Sequence, residues 1–517
     1  MGTAPARAPL SPGMGFAGLS FVVNVLVVLT SAVITSRLYG VEVVGQYALA
    51  MSPWLLLVSL STVSEQIALV RTLAPIPRGS DEATGLFFAV LTLSAGLTAA
   101  MSVPVTVVTT AVLRGPAGQP ESVLPAIAIV AGYVLLENPG WNLDSVLSAY
   151  SQGRRLFWCR LATVLTYLFS SIALFWVTTS VWGLALANII SFAVGLVARS
   201  FAVRGFIGRR PTFEHYRAGL RRLADLLRFG VRLLPGQLLM GMTLQAPLWI
   251  ISGSAPIAQV GAFSRASTMA VRLNEASFRI NEMLFPDLVR LQREGDTRAF
   301  TDTLERSLRL ALGCLLLPAA VAGGAAGPVM SIFGDGFSTA AGAVVFLFLA
   351  HVIYVATAIV ASAYNAMGSP HLTSSFSAIR CTVALSAAAL LVDRYGIEVA
   401  AAGIFAGYAI ELAAQILTLR RTIGLAPTQV LHPSTIVRLL ACYGGSFVVA
   451  RMIAEKVSSS MLALPLAVAA GAVVFGGIAV VSNIVDAHDR QAVRGRLGRL
   501  ATGGAPRLPA DGARPRR

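Results

Sequence analysis

The chain is poor in charge: only 12% of its 517 residues are Asp, Glu, Lys or Arg, against 56% hydrophobic residues, and its mean hydropathy is +0.73. A soluble globular protein carries about 25% charged residues, so membrane is the class this composition selects. Lysine is nearly absent, a single Lys456 beside 39 arginines. Cysteine is scarce too: Cys159, Cys314, Cys381 and Cys442 fall in four separate apolar stretches. That spacing offers neither a metal-ligand cluster nor a disulfide framework. No nucleotide-binding loop and no nucleophile-and-base arrangement stands out, which leaves ATP hydrolysis and covalent catalysis unsupported within this chain. No cofactor is expected.

What the sequence has is long apolar runs. A bilayer-spanning helix needs about 20 mostly apolar residues, and such stretches recur from Gly15 to Asn483 with short polar breaks. They predict an all-α polytopic membrane protein of about fourteen spans: 15–36, 43–70, 84–112, 122–150, 156–179, 181–203, 229–252, 255–287, 307–333, 337–366, 371–392, 396–419, 434–454 and 459–483. With the N-terminus inside, 27 of the 40 basic residues lie on or beside cytoplasmic segments and five (Arg37, Arg114, Arg394, Arg451, Lys456) on the outer side. This bias satisfies the positive-inside rule and puts both termini in the cytoplasm. The net charge of +16 is then a matter of topology and of membrane lipids, and nucleic acid is not an expected partner. The link 204–228 places Tyr216, Leu220, Leu223 and Leu227 at helical spacing between arginines, the pattern of a basic amphipathic helix at the inner surface.

The chain also repeats itself. Val44-Gly45 in the second span and Val260-Gly261 in the eighth are 216 residues apart, Arg71 and Arg290 are 219 apart, and Ser148-Ala149-Tyr150 precedes Ser362-Ala363-Tyr364 by 214. Three short matches at nearly one offset imply two halves of six spans each, related by an axis along the membrane normal. The expected organisation is 1–204 as the first six-helix bundle, 205–228 as a cytoplasmic amphipathic linker, 229–423 as the second bundle, 424–483 as helices 13 and 14, and 484–517 as a basic tail.

Phe285-Pro286-Asp287-Leu288, Arg293-Glu294-Gly295-Asp296, Leu304 to Leu310, Leu317-Pro318, Ile332 to Phe337, Asn365-Ala366-Met367-Gly368 and Arg37-Leu38-Tyr39-Gly40 together resemble the polysaccharide exporters of the multidrug/oligosaccharidyl-lipid/polysaccharide flippase superfamily. The resemblance covers essentially spans one to twelve. It implies two bundles forming a V around a cleft that opens alternately to each side of a bacterial cytoplasmic membrane. The usual cargo is a polyprenyl-pyrophosphate-linked oligosaccharide, and polysaccharide-assembly proteins are further candidate partners. The chain departs from patterns within the superfamily in two places. Span seven reads Thr243-Leu244-Gln245-Ala246-Pro247 where related exporters often place an acid, and the first span lacks the arginine common in lipid II flippases. A cation-coupled multidrug exporter and a membrane glycosyltransferase or polymerase are the rival readings.

Charges inside spans are costly and by default face a cavity or a partner. Arg265, Thr268, Arg272, Glu275, Arg279 and Glu282 recur at three- and four-residue intervals along the eighth span, one stripe of a single helix. Its arginines offer forked donors to phosphate oxygens, and the alternative is mutual pairing of Arg272, Glu275 and Arg279. With Glu65, which sits similarly in the first half, the charged members form the candidate substrate site. Glu137, Asp144, His351 and Glu411 are candidate coupling residues. Arg160, Arg232, Arg309 and Arg380 are further intramembrane charges, and Pro139-Gly140 and Pro235-Gly236 are candidate hinges. The expected topology is checked by impermeant thiol reagents: a cysteine replacing Arg114 should react from outside intact cells, and one replacing Arg293 only after permeabilisation.

Overall fold

A computed structural model describes residues 12–61, 69–70, 72–208, 213–423, 426–457 and 459–482. Glu65 and the tail from 483 onward lie outside the described residues, as do the side chains of Arg279 and Glu282. Among the described residues the chain is helical throughout and contains no β-strand.

The helices are α1 Pro12–Ser61, α2 Asp81–Arg114, α3 Val123–Gly132, α4 Asn138–Ala149, α5 Gly153–Phe175, α6 Val181–Ala202, α7 Phe213–Ser254, α8 Ile257–Val271, α9 Asn274–Glu294, α10 Thr297–Gly324, α11 Ala326–Ser331, α12 Ala341–Ala366, α13 Pro370–Tyr395, α14 Ile397–Ile423, α15 Pro427–Val430, α16 Pro433–Lys456 and α17 Ser460–Val481. Among the described residues, eleven helical segments are long and apolar enough to cross a membrane. The expected first and second spans share one of these, because α1 runs through both and turns only at Gly40, whose φ of 79° is open to glycine and strained for other residues. Expected spans seven and eight fall outside the eleven. In α7 the apolar run is diluted by Pro235, Gln237, Gln245 and Pro247.

The expected eighth span is two helices. α8 ends at Val271 and α9 begins at Asn274, so the stripe of charge does not run along one continuous helix face. Two candidate hinges also resolve. Before Pro139 the helix widens into a π turn over Tyr133–Glu137, as expected where proline withholds its amide and crowds the preceding turn. At Pro235, by contrast, α7 continues unbroken.

Residues 213–228 are the first part of α7 itself. Its early turns lie on α2, where a Cβ on Gly219 would collide with the Gly85 carbonyl, and the Thr92 hydroxyl donates to the Tyr216 phenol at 3.3 Å. The second half is built around α12, whose apolar window is 67% buried against 17% for α5, so α12 is an internal post and α5 a peripheral helix. α16 and α17 pack together and against α10, where Gly324 lets the α16 backbone approach at Phe447 and the Ser446 hydroxyl donates to the Gly471 carbonyl of α17 at 3.1 Å. The outward faces carry exposed Phe169, Trp176, Leu390, Leu417, Val437 and Val473, the surface a lipid environment accepts.

The matching Val-Gly pairs of the second and eighth expected spans lie against each other. A Cβ on Gly45 would strike the Ile257 carbonyl, and one on Gly261 would strike the Val41 carbonyl. Each repeat-related glycine thus lies against the carbonyl four residues before the other, and α1 and α8 touch backbone to backbone. Arg37 Nε donates to the Ile332 carbonyl at 2.7 Å nearby, and Gly253 of α7 abuts the Pro116 carbonyl of the first half. Gly45→Val or Gly261→Val should wedge this crossing open and expose a cysteine placed at Val44, which is fully buried here, to an impermeant thiol reagent. Unchanged protection would show that the glycines do not close this side.

Candidate functional site

Among the described residues, three polar centres lie inside the helical bundle. The first is in the N-terminal half. Arg199 of α6 bonds both carboxylates of the fourth span: Nη1 to Glu137 Oε2 at 2.8 Å, Nη2 to Glu137 Oε1 at 3.2 Å and Nε to Asp144 Oδ1 at 3.0 Å. Trp141 Nε1 donates to Glu137 Oε1 at 2.6 Å. Two glycines make room for the guanidinium, since a Cβ on Gly140 or Gly195 would press on Arg199 Nη1. Next to this group Asn138 and Asn142 bond Ser94, and Asn138 also bonds Thr98, tying the fourth span to α2. Arg160 of α5 completes the group from outside, its Nε 3.5 Å from Asp144 Oδ2.

The second centre is in the C-terminal half. Arg380 of α13 pairs with Glu411 of α14 at 2.7 Å, lies with Cζ 4.9 Å from the Tyr408 ring centroid, and donates from Nε to the Thr243 hydroxyl at 3.4 Å. His351 of α12 is fully buried and hydrogen-bonds Asn274 Oδ1 through Nδ1 at 2.9 Å, while its Nε2 has no hydrogen-bond partner. Asn274 is the first residue of α9, so His351 fastens the broken point of the eighth span. His351 stands 214 residues after Glu137, the repeat offset, and each helps organise the polar interior of its half.

The third centre lies between the halves. Arg265 is buried, and its guanidinium donates to hydroxyls of α1: Nε to Ser36 Oγ at 2.7 Å and Nη2 to Thr35 Oγ1 at 3.3 Å. Among the described residues no ion pair to a carboxylate forms there. Two helical turns on, Arg272 takes the pairing alternative, with Nη1 3.0 Å from Glu275 Oε1, while its buried Nε has no partner. Arg309 lies 3.9 Å from Glu305.

The four candidate coupling residues therefore divide between the two half-specific centres, and Arg265, Arg272 and Glu275 belong to the region between. Arg199 was not singled out by sequence, although Asn188, Ser191, Gly195 and Arg199 repeat at helical spacing and all are buried. That small polar stripe was the available signal. Tyr408 and Asn274 carried none, being a lone aromatic and a lone amide in mixed surroundings.

Residues 124–341 match the polysaccharide biosynthesis protein family. No curated protein matches the sequence. Among solved structures the chain is similar to a lipid II flippase MurJ in an inward closed conformation, with a TM-score of 0.68, 11% identity, and coverage of 90% of this chain and 98% of that one. It is also similar to an inward-facing multidrug resistance MATE transporter, with a TM-score of 0.61, 15% identity and coverage of 78% and 94%. A third is a superfamily transporter from Pyrococcus furiosus whose binding pocket is described as reversed in polarity, with a TM-score of 0.56, 14% identity and coverage of 78% and 95%.

The centres make unequal demands on stability. Removing one partner of a buried ion pair costs about 3–5 kcal/mol, so Arg199→Leu, which strands two carboxylates, should sharply lower the unfolding midpoint in detergent. Arg160→Gln, at a side chain 56% exposed, should cost under about 1 kcal/mol. Equal losses would contradict the assignment of Arg199 as the organising charge. Over residues 124–341 the sequence matches the polysaccharide biosynthesis protein family, and along most of its length the chain has the fold of the solved flippase and MATE transporter structures to which it is similar.

Proposed function

We propose that the protein is a flippase that moves a polyprenyl-pyrophosphate-linked oligosaccharide, or a related glycolipid, across the bacterial cytoplasmic membrane by alternating access. The observation that carries this reading is Arg265, a buried guanidinium between the halves that among the described residues hydrogen-bonds hydroxyls alone. A positive charge at that depth is costly unless something anionic visits it. A pyrophosphate does so, and its oxygens match the forked donors of arginine. Arg272, with a buried Nε to spare, extends the same positive region by two turns, and Glu275 tempers it. Arg279, Glu282 and Glu65 complete the proposed substrate region.

In this reading the two bundles, 1–204 and 229–423, are the moving bodies, with both chain ends in the cytoplasm. The lipid tail stays in the bilayer while the head enters between the bundles from the inner side. No hydrolysis is required of the chain. Outward movement of one negative charge gains about 2.3 kcal/mol per 100 mV of inside-negative potential. The multidrug reading shares the fold, since a MATE transporter is among the similar structures, but a cationic cargo would meet repulsion at Arg265.

The test is uptake of a synthetic polyprenyl-pyrophosphate sugar across proteoliposome membranes. Charge-assisted hydrogen bonds are worth about 1.5–3 kcal/mol, so Arg265→Ala should lower the transport rate roughly ten- to hundredfold. Arg293→Ala, at an exposed residue, should leave it unchanged. An Arg265→Ala protein that folds, inserts and transports at the wild-type rate would refute the site. Transport of cationic drugs in place of the glycolipid would favour the rival.

A further inference from the structure

A second concentration of arginine lies at one end of the N-terminal half, apart from Arg265. Arg78 stands in the link before α2, Arg154 and Arg155 in the first turn of α5, and Arg204 just past the end of α6. All four are exposed, and among the described residues none pairs with a carboxylate. The nearest acids in sequence, Asp81 and Glu82, stand in the first turn of α2, where the helix dipole favours them. The other half is different. Between residues 287 and 306 four arginines are interleaved with five acids, and Arg290 pairs with Asp287 at 3.3 Å. Orientation in the membrane asks for arginines on this side of both halves; it does not ask that those of one half stand without acids.

Three of these arginines are held in place by rings and carbonyls. Arg155 Nη1 donates to the Ala202 carbonyl at the end of α6 at 2.8 Å, and its Cζ lies 5.1 Å from the Phe206 ring centroid. Arg78 approaches the same ring at 5.5 Å and donates from Nη2 to the Tyr150 carbonyl at 3.3 Å. Arg204 lies 3.9 Å from the Phe201 centroid. Tyr150 and Phe206 stack at 5.7 Å, and the Gly79 amide donates to the Phe206 carbonyl at 2.9 Å. The links 72–80, 150–152 and 203–208 thus form one platform. A guanidinium set over a ring keeps its N–H donors for other partners. Among the described residues Arg78 and Arg155 each use one donor on a carbonyl and Arg204 uses none. The platform caps an apolar stripe. Leu186, Ile190, Val194, Val197 and Phe201 are exposed at three- and four-residue intervals along α6, one face of a helix that ends at Arg204. Exposed Trp158 lies one turn in from Arg155 on α5, a residue type that settles where head groups meet hydrocarbon.

We propose that this platform binds an anionic phospholipid of the leaflet it faces, the one that the arginine distribution predicts to be cytoplasmic, with phosphodiester oxygens on Arg78, Arg155 and Arg204 and an acyl chain along the α6 stripe. Guanidinium donors match phosphate oxygens, and the charge-assisted bonds are strong. A zwitterionic head would bring its own cation to the arginines, and a soluble anion would leave the stripe without a contact. The bound lipid joins three links that are far apart in the chain, so it braces one end of the N-terminal half. The site is separate from Arg265 on α8 and does not depend on which cargo is carried.

The experiment follows the thermal unfolding midpoint of the full chain in detergent, stripped of native lipid, as phosphatidylglycerol or phosphatidylcholine with the same acyl chains is added back. Phosphatidylglycerol should raise the wild-type midpoint by about 2 °C or more beyond phosphatidylcholine. The triple variant Arg78→Gln, Arg155→Gln, Arg204→Gln should lose that difference. The triple variant Arg290→Gln, Arg293→Gln, Arg298→Gln, which removes equal charge from the other half, should keep it. Equal wild-type midpoints in the two lipids, or a difference lost alike in both triple variants, overturns the site. Should the first triple variant fail to fold, native mass spectrometry of Arg204→Gln alone decides: retained phosphatidylglycerol should fall several-fold relative to wild type, and unchanged retention refutes the proposal. Soluble glycerophosphoglycerol should not stabilise the protein. If it matches the lipid, the platform takes free anions and the phospholipid assignment fails.

Discussion

Two helices can touch backbone to backbone only where both lack a side chain at the same level, and the Gly45 and Gly261 crossing is such a place. The contacts between the halves follow from it. With α1 and α8 this close, Arg265 reaches Ser36 and Thr35 without leaving its own helix, Trp249 of α7 donates to Ser52 at 2.7 Å, and Arg37 reaches the Ile332 carbonyl. The pairing is reciprocal, and the two glycines stand in matching Val-Gly pairs 216 residues apart in the sequence.

The intramembrane charges sort by the same division. Within each half an arginine is matched to acids on a neighbouring helix, Arg199 to Glu137 and Asp144, Arg380 to Glu411. These pairs hold helices together at a depth where an unmatched charge would be intolerable. Arg265, between the halves, has hydroxyl partners instead. Under the function proposed above, a charge that receives a transient anion cannot be permanently neutralised by its own protein, and hydroxyls satisfy its donors without cancelling its field.

Much of this was legible in the sequence. Apolar run length marked most of the spans, and the repeat offset singled out the glycines that meet. What escaped was tertiary in origin. Nothing local marks the break after Val271, where neither proline nor glycine stands; the amide of Asn274 is held there by His351, which lies 77 residues away in the chain. Arg199 was missed because an arginine in the last turn of a span reads as a topology signal facing the head groups, and only the fold turns it inward. Pro139 did announce an irregularity, though its form, a widened turn ending two residues earlier, required the structure.

The unbroken course of α7 carries a mechanical consequence. Its first turns are seated on α2 of the N-terminal half through Gly219 and Gly85, its middle lies along α13 of the C-terminal half, and its last residues return to the first half at Pro116. A rod fixed to one body at both ends and to the other along its middle sets the stroke of any relative rotation. Large separations would have to bend it at Pro235 or Pro247, the two points where an amide is already missing.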